Sequence, residues 1–97
     1  MKDAKRELIL NAAVECAKLV GYMNIQRADI AQRADVATGT VNKYFGTMNQ
    51  LKRAVMRHAI EKDIPEIMLQ GIANNDNQVM KLTPDRRREI CLTATNL

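Results

Sequence analysis

The 97-residue sequence predicts an all-α fold, on three observations. Only three residues are aromatic although 46% are hydrophobic, so a core would consist of aliphatic side chains and methionine. Apolar residues recur at spacings of three and four, and no alternating run is long enough to indicate a strand. Two prolines and four glycines leave long stretches in which helices can form. The length allows a single small core.

The first two helices are predicted from caps and apolar spacing. Asp3 can cap a helix that runs to about Val20 and ends at Gly21. A second, short helix is expected from about Gln26 to Ala34. The apolar face of the first helix comprises Ile9, Ala12, Ala13, Cys16, Ala17 and Val20.

The decapeptide "VATGTVNKYF", residues 36–45, is predicted to form a third helix at about 38–45 despite its poor apolar pattern. Thr47 is a cap for a fourth helix, which should end near Asp63 because Ile64 precedes a proline. Pro65 suits the first turn of a fifth helix, "PEIMLQGIA". After the polar break "NNDNQ", Thr83 is the cap of a sixth helix, "PDRRREICLTATNL".

Charge and cysteine content limit the classes of function. Residues 1–60 carry ten Lys and Arg against five Asp and Glu, while residues 61–97 carry five against six, so the basic half is the candidate for a polyanionic partner. Two isolated cysteines and one histidine indicate neither zinc nor a disulfide framework, and we expect buried free thiols, no metal and no cofactor. No apolar run has the length of a membrane span, and a soluble cytoplasmic protein is predicted.

The second and third helices, joined by a short turn, have the organisation of a helix-turn-helix. A helix that enters the major groove needs only a few anchors, here Val41, Phe45 and Val36, and its other side must be polar and carry small side chains. Gly39 weakens a helix but permits close approach to another surface. The start of the fourth helix, at Thr47, offers backbone N–H groups to an anion. Hydroxyl, amide and ammonium groups suited to DNA are found at Thr38, Thr40, Asn42, Lys43 and Tyr44.

The stretches "ILNAAVECAKLVGY" and "IAQRADVATGTVNKYFGTMNQL" resemble the DNA-binding region of the tetracycline-repressor (TetR) family of bacterial regulators, over roughly residues 7–60. The resemblance implies a three-helix core with a fourth, connecting helix, and a protein associated with the nucleoid of a bacterial or phage-infected cell. It implies base-edge roles for Thr38, Gly39, Thr40 and Asn42. It implies phosphate roles for Gln26, Arg27, Lys43 and Tyr44. Asp35 replaces the usual turn glycine and is expected to adopt left-handed geometry.

The predicted organisation is a DNA-binding domain at 1–63 and a short helical extension, with one or two helices, at 64–97. The chain is expected to be a sequence-specific regulator of double-stranded DNA and to lack the family's effector-binding domain. A repressor is favoured, and one encoded by a phage or mobile element is an option. A homodimer would read a palindromic operator. Dimer contacts are predicted at Ile64, Ile67, Met68, Leu69 and Ile72.

Two alternatives stay open on the residues alone. The polar third helix could be merely solvated in a structural bundle, or the scaffold could serve as an adaptor or anti-repressor that grips a protein through "PEIMLQGIA". An enzyme is not expected, because the single histidine has no partner in a catalytic motif. We interpret His58 as a core residue and the run Arg86 to Arg88 as a solvated helix face.

Overall fold

The computed structural model describes residues 3–95 and confirms the all-α class, since that range contains seven α-helices, one 3-10 helix and no strand. The 3-10 helix, Tyr22–Asn24, was not predicted. The α-helices are α1 (Ala4–Val20), α2 (Arg27–Ala34), α3 (Thr38–Phe45), α4 (Met48–Lys62), α5 (Pro65–Ala73), α6 (Asn77–Met80) and α7 (Pro84–Thr95). The prediction of six helices was therefore wrong by one, because α6 begins inside the segment interpreted as a polar break.

The chain divides into two compact units, of which the first ends at Val55 and the second begins at Met56. The first unit contains α1, α2, α3 and the N-terminal half of α4. The second contains the remainder of α4 with α5, α6 and α7. The domain boundary expected after residue 63 stays a prediction.

Helix α1 begins as predicted, because the Asp3 carboxylate accepts hydrogen bonds from the backbone N–H groups of Lys5 (3.1 Å) and Arg6 (3.4 Å). Gly21, with φ of 90°, ends the helix in a conformation that favours glycine. Val20, which was placed on the apolar face of α1, is 53% exposed rather than buried. The chain turns away immediately after it and buries Tyr22 instead, at 3% exposure.

The turn between α2 and α3 depends on Asp35. This residue has φ of 58° and ψ of 49°, so the expected left-handed geometry is confirmed. The N–H of Val36 donates to the Ala31 carbonyl over 2.9 Å, which is the long hydrogen bond of a Schellman helix end. Asp35 therefore adopts the left-handed conformation that this turn requires, which glycine would adopt at a lower energetic cost.

The core of the first unit is aliphatic, as the composition predicted, with only two buried rings. Ile9, Ile30, Val41, Leu51 and Val55 are essentially inaccessible to solvent. The other buried members are Leu10, Ala12, Ala13, Val14, Cys16, Ala17, Tyr22, Ile25, Ala31, Ala34 and Phe45.

The second unit has a smaller core, formed around α5. Helix α4 ends before Asp63, whose φ is 57°, and Pro65 occupies the first turn of α5 as predicted. Asp76 starts α6 by accepting a hydrogen bond from the Gln78 N–H over 2.9 Å. Thr83 caps α7 as expected, with its hydroxyl 3.1 Å from the N of Arg86. Buried side chains here are Met56, Ala59, Ile67, Met68, Val79 and Ile90.

The interpretation of the arginine run as a merely solvated face was wrong for two of its three members. Arg86 forms ion pairs with Asp63 and with Glu89. Arg87 donates to two backbone carbonyls in the turn before α7, at 2.7 and 2.8 Å. Arg88 is exposed and contacts only its helix neighbour Asp85. The first two arginines thus fix the start of α7.

Cys16 and Cys91 are free thiols, of which the first is buried and the second half-buried. His58 is half-buried rather than part of the inaccessible core. Within residues 3–95, no helix is long and apolar enough to cross a membrane. The same range contains no group of three or more His, Cys, Asp or Glu arranged to hold a metal ion.

Candidate nucleic-acid interface

Helix α3 is attached to the first unit by one side only. Val41 and Phe45, four residues apart, are 1% and 7% exposed, and these are the buried residues of this helix. Val36, just before the helix, is half-buried. Burying each large apolar side chain contributes about 1.5–3 kcal/mol, enough to hold an eight-residue helix that would not form alone.

The opposite side of α3 is polar and open. Thr38, Gly39, Asn42 and Lys43 are exposed, and Thr40 is half-buried at the margin. The four predicted base-contacting residues therefore lie together on one short helix, and three of them are exposed.

Gly39 has no intramolecular reason to be glycine. A Cβ atom built at this position meets no other atom within 4 Å, and the backbone is ordinary helix rather than left-handed. Alanine would fit and would be the better helix former. Because Gly39 has no side chain, another molecule can approach the backbone closely on the exposed side of α3.

The N-terminal ends of both helices of the motif lack side-chain caps. Gln26 and Ala37 occupy the cap positions of α2 and α3, and neither side chain accepts a backbone hydrogen bond. Capping side chains are present at the starts of α1, α4, α6 and α7, whereas α5 likewise begins without one, at Ile64. A missing cap costs about 1 kcal/mol, and it leaves N–H groups and the positive end of the helix dipole available to an anion.

The predicted phosphate residues at α2 and α4 lie at those helix starts. Gln26 is exposed, while Arg27 is half-buried and its buried Nε has no hydrogen-bond partner among the described residues. Thr47 forms a reciprocal capping box with Gln50. The Thr47 hydroxyl lies 3.2 Å from the N of Gln50, and the Gln50 side chain accepts from the Thr47 N–H over 2.8 Å. This box occupies the N–H groups of Thr47 and Gln50, and the other N–H groups of the first α4 turn have no partner within the helix.

Two interactions that the sequence did not predict link the start of α1 to the end of α3. Hydrogen bonding to the Asp3 carboxylate raises the pKa of the Tyr44 phenol above its usual value, and desolvation and the carboxylate charge act in the same direction. The Arg6 guanidinium lies over the Phe45 ring, 4.8 Å from its centroid. No local sequence pattern signals either contact, because each joins residues about 40 positions apart.

The residues predicted to form dimer contacts, all in the second unit, differ in how deeply they are buried. Ile67 and Met68 are 0% and 1% exposed, so they form the core of this unit and cannot contact a partner without opening it. Ile64, Leu69 and Ile72 are half-buried and retain accessible apolar surface. The spacing on α5 identified apolar residues correctly but could not distinguish the inner from the outer ones.

Comparison with known proteins matches residues 9–55 to the family model for the bacterial regulatory proteins of the tetR family. The HTH-type transcriptional regulators BetI of Paraburkholderia phytofirmans, Burkholderia thailandensis and Burkholderia cenocepacia are each 33% identical over 60 residues. The matched stretch covers 62% of this chain but only 31% of each relative. No solved structure matches the chain. The first unit, with its two-anchor helix α3, is accordingly the N-terminal helix-turn-helix domain of the TetR family, a family of transcriptional regulators rather than of enzymes.

Proposed function

We propose that the chain is a sequence-specific DNA-binding transcriptional regulator that inserts α3 into the major groove. The observation that carries the proposal is Gly39, because open space surrounds its Cβ position and only an external surface gives the residue a purpose. The exposed hydroxyl and amide groups of Thr38, Thr40 and Asn42 have the chemistry that reads base edges. A solvated structural helix would need none of these features.

The phosphate contacts are proposed to come from three places around α3. Lys43 and Tyr44 would contact the backbone from α3 itself, Gln26 and Arg27 from the start of α2, and Thr47 from the start of α4. The uncapped ends of α2 and α3 support this arrangement, since their N–H groups suit phosphate oxygens. A contact of this kind positions the protein but carries no sequence information.

We further propose that two copies bind a palindromic operator and act as a repressor in the cytoplasm of a bacterium or a phage-infected cell. One helix-turn-helix buries too little surface for a typical specific affinity, and pairing doubles it. The half-buried Ile64, Leu69 and Ile72 are the proposed apolar contacts between copies. We propose that DNA binding requires no small-molecule effector, because helices of the first unit carry every group that we assign to the DNA contacts.

Selection of bound duplexes from a random pool tests the proposal. We expect a palindromic consensus with half-site centres about 10 base pairs apart. The affinity for the selected duplex should fall steeply with salt, with the logarithmic slope rising by about 0.9 for each neutralised phosphate. Failure to enrich any duplex would overturn the proposal.

Three variants then distinguish the roles of the side chains. Lys43→Ala should weaken binding equally for all sequences and reduce the salt slope by about one. Asn42→Ala should relax the preference at particular bases by about 1–3 kcal/mol. Lys18→Ala is the matched control, since Lys18 lies in the last turn of α1 and forms an ion pair with Glu15 at 3.8 Å. Equal effects of Lys43→Ala and Lys18→Ala would contradict the assignment of α3 to the groove.

A further inference from the structure

The first turn of α1 places a cation at the end of α3. The Arg6 guanidinium lies 4.8 Å from the centroid of the Phe45 ring, within the distance of about 6 Å at which a ring attracts a cation. The backbone of this turn is also fixed. The Arg6 N–H donates to the Asp3 carboxylate over 3.4 Å, and the Glu7 N–H donates to the Asp3 carbonyl over 3.2 Å. Both the helix and the ring therefore determine where the guanidinium lies.

The Arg6 guanidinium forms no ion pair or hydrogen bond with residues 3–95, and the residue is exposed. The contact with Phe45 is the interaction that this side chain makes within the domain. Attraction to a ring uses none of the five N–H donors of a guanidinium. These donors therefore remain available to an acceptor from outside the domain.

The end of α3 is a place where a DNA phosphate can reach this cation. Phe45 is the last residue of α3, so Arg6 flanks the C-terminal end of the helix that enters the groove in the proposed function. A helix with its side chains is about 10–12 Å across, and the major groove is about 12 Å wide. An inserted helix thus fills the groove, and a cation beside its end faces the phosphates that border the groove.

We propose that Arg6 contacts a DNA phosphate from outside the helix-turn-helix and that the Phe45 ring holds it in position. This inference rests on the proposed function, and it adds α1 to the three places around α3 from which phosphate contacts are proposed. The planar fork of a guanidinium suits the oxygens of a phosphate. Because Arg6 is already ordered over the ring, it loses less side-chain freedom on binding than an unsupported surface arginine. Phe45 then has two roles, as an anchor of α3 and as a support for the phosphate contact.

The variant Arg6→Ala tests the contact. It removes the guanidinium but keeps the backbone N–H that donates to Asp3. We expect the affinity to fall about tenfold for the selected duplex and for a scrambled duplex alike, because a backbone contact does not distinguish sequences. The logarithmic salt slope should decrease by about 0.9, since one phosphate fewer is neutralised. Fluorescence anisotropy at several salt concentrations measures both quantities.

Lys5→Ala is the matched control, because it removes the same charge from the neighbouring exposed residue. Successive residues of a helix point about 100° apart, so Lys5 and Arg6 lie on different sides of α1. We expect Lys5→Ala to change the affinity less than about twofold. Equal losses in Lys5→Ala and Arg6→Ala would show a general effect of charge and overturn the inference.

A double-mutant cycle with Phe45→Leu tests the role of the ring, since leucine keeps an apolar anchor for α3. In that background Arg6→Ala should weaken binding less than about threefold, because the guanidinium is no longer held in position. An undiminished tenfold loss would overturn the role of Phe45. Arg6→Lys gives a second measurement that leaves the core unchanged. Lysine should keep the wild-type salt slope but bind about threefold more weakly, and full wild-type affinity would overturn the proposed use of the guanidinium.

Thermal unfolding of each variant, followed by circular dichroism, confirms that the affinities are compared between folded proteins. A wild-type protein that binds no duplex would overturn the proposed function and this inference together. Salt-dependent binding by the wild type, with no loss of affinity in Arg6→Ala, would overturn this inference alone.

Discussion

Replacing Gly39 by alanine should make the protein more stable and a poorer DNA binder. In the free protein the new methyl group meets no atom within 4 Å, so it introduces no clash. Alanine is more favourable than glycine in a helix by about 0.5–1 kcal/mol. Because Gly39 is the second residue of α3, we take the lower value, about 0.5 kcal/mol. For a domain of this size that raises Tm by about 2–4 °C.

The same methyl group lies on the open side of α3, where the proposed contact with the major groove is closest. We expect the affinity for the selected duplex to fall at least about tenfold, which corresponds to about 1.4 kcal/mol. Thermal unfolding followed by circular dichroism measures the first effect, and fluorescence anisotropy with a labelled duplex measures the second. The Gly39→Ala variant should therefore show a higher Tm and, at the same time, a lower affinity for the duplex.

Gly71→Ala is the control, because it is the same substitution in a helix of the second unit. A Cβ atom there would lie 2.7 Å from Cε and 3.2 Å from Sδ of the buried Met56. Overpacking costs about 1–3 kcal/mol and exceeds the gain in helix propensity, so Tm should fall while folded protein still binds DNA. A Gly39→Ala protein that is stabilised and binds as tightly as the wild type would refute the close-approach explanation of this glycine.

Three further predictions concern stability. Thr47→Ala removes one half of the capping box with Gln50 and should lower the free energy of unfolding by about 1 kcal/mol in denaturant titration, whereas Thr47→Ser should not. The raised pKa of Tyr44 means that the folded state favours the neutral phenol. The contribution of this phenol is therefore complete below about pH 10 and is lost as pH rises through the higher folded pKa. Tyr44→Phe should remove this part of the alkaline loss of stability, and an unchanged pH profile would contradict the raised pKa. Arg87→Met should cost about 1–2 kcal/mol, because two carbonyls lose their donor, and a variant as stable as the wild type would show that the turn holds without it.

Local rules predicted most helix boundaries. Asp3, Thr83 and Pro65 begin helices where capping and proline preferences place them, and Gly21 ends one. The prediction for Asp35 also held, because its left-handed conformation follows from the short turn that must join α2 to α3. Each of these signals acts within about four residues of the position it decides.

The predictions that failed depend on contacts over longer distances or on competition between local signals. Val20 fits the apolar stripe of α1, but the chain turns at Gly21 and buries Tyr22 in its place. Ile67 and Met68 were assigned to an interface, although the second unit needs them for its own core. A helical pattern reports which residues are apolar, and only the packing of the other helices decides which of them remain accessible.

The low apolar content of α3 and its dependence on two anchors have a common physical origin. A helix that exposes most of its surface cannot obtain its stability from burial, so Val41 and Phe45 must provide it. Two further features of the helix lower its stability: a glycine in the first turn and an uncapped N-terminus. A purely structural helix would gain from removing both at no cost to packing. Their presence together on one helix is therefore better explained by a surface that the helix must meet than by the stability of the domain.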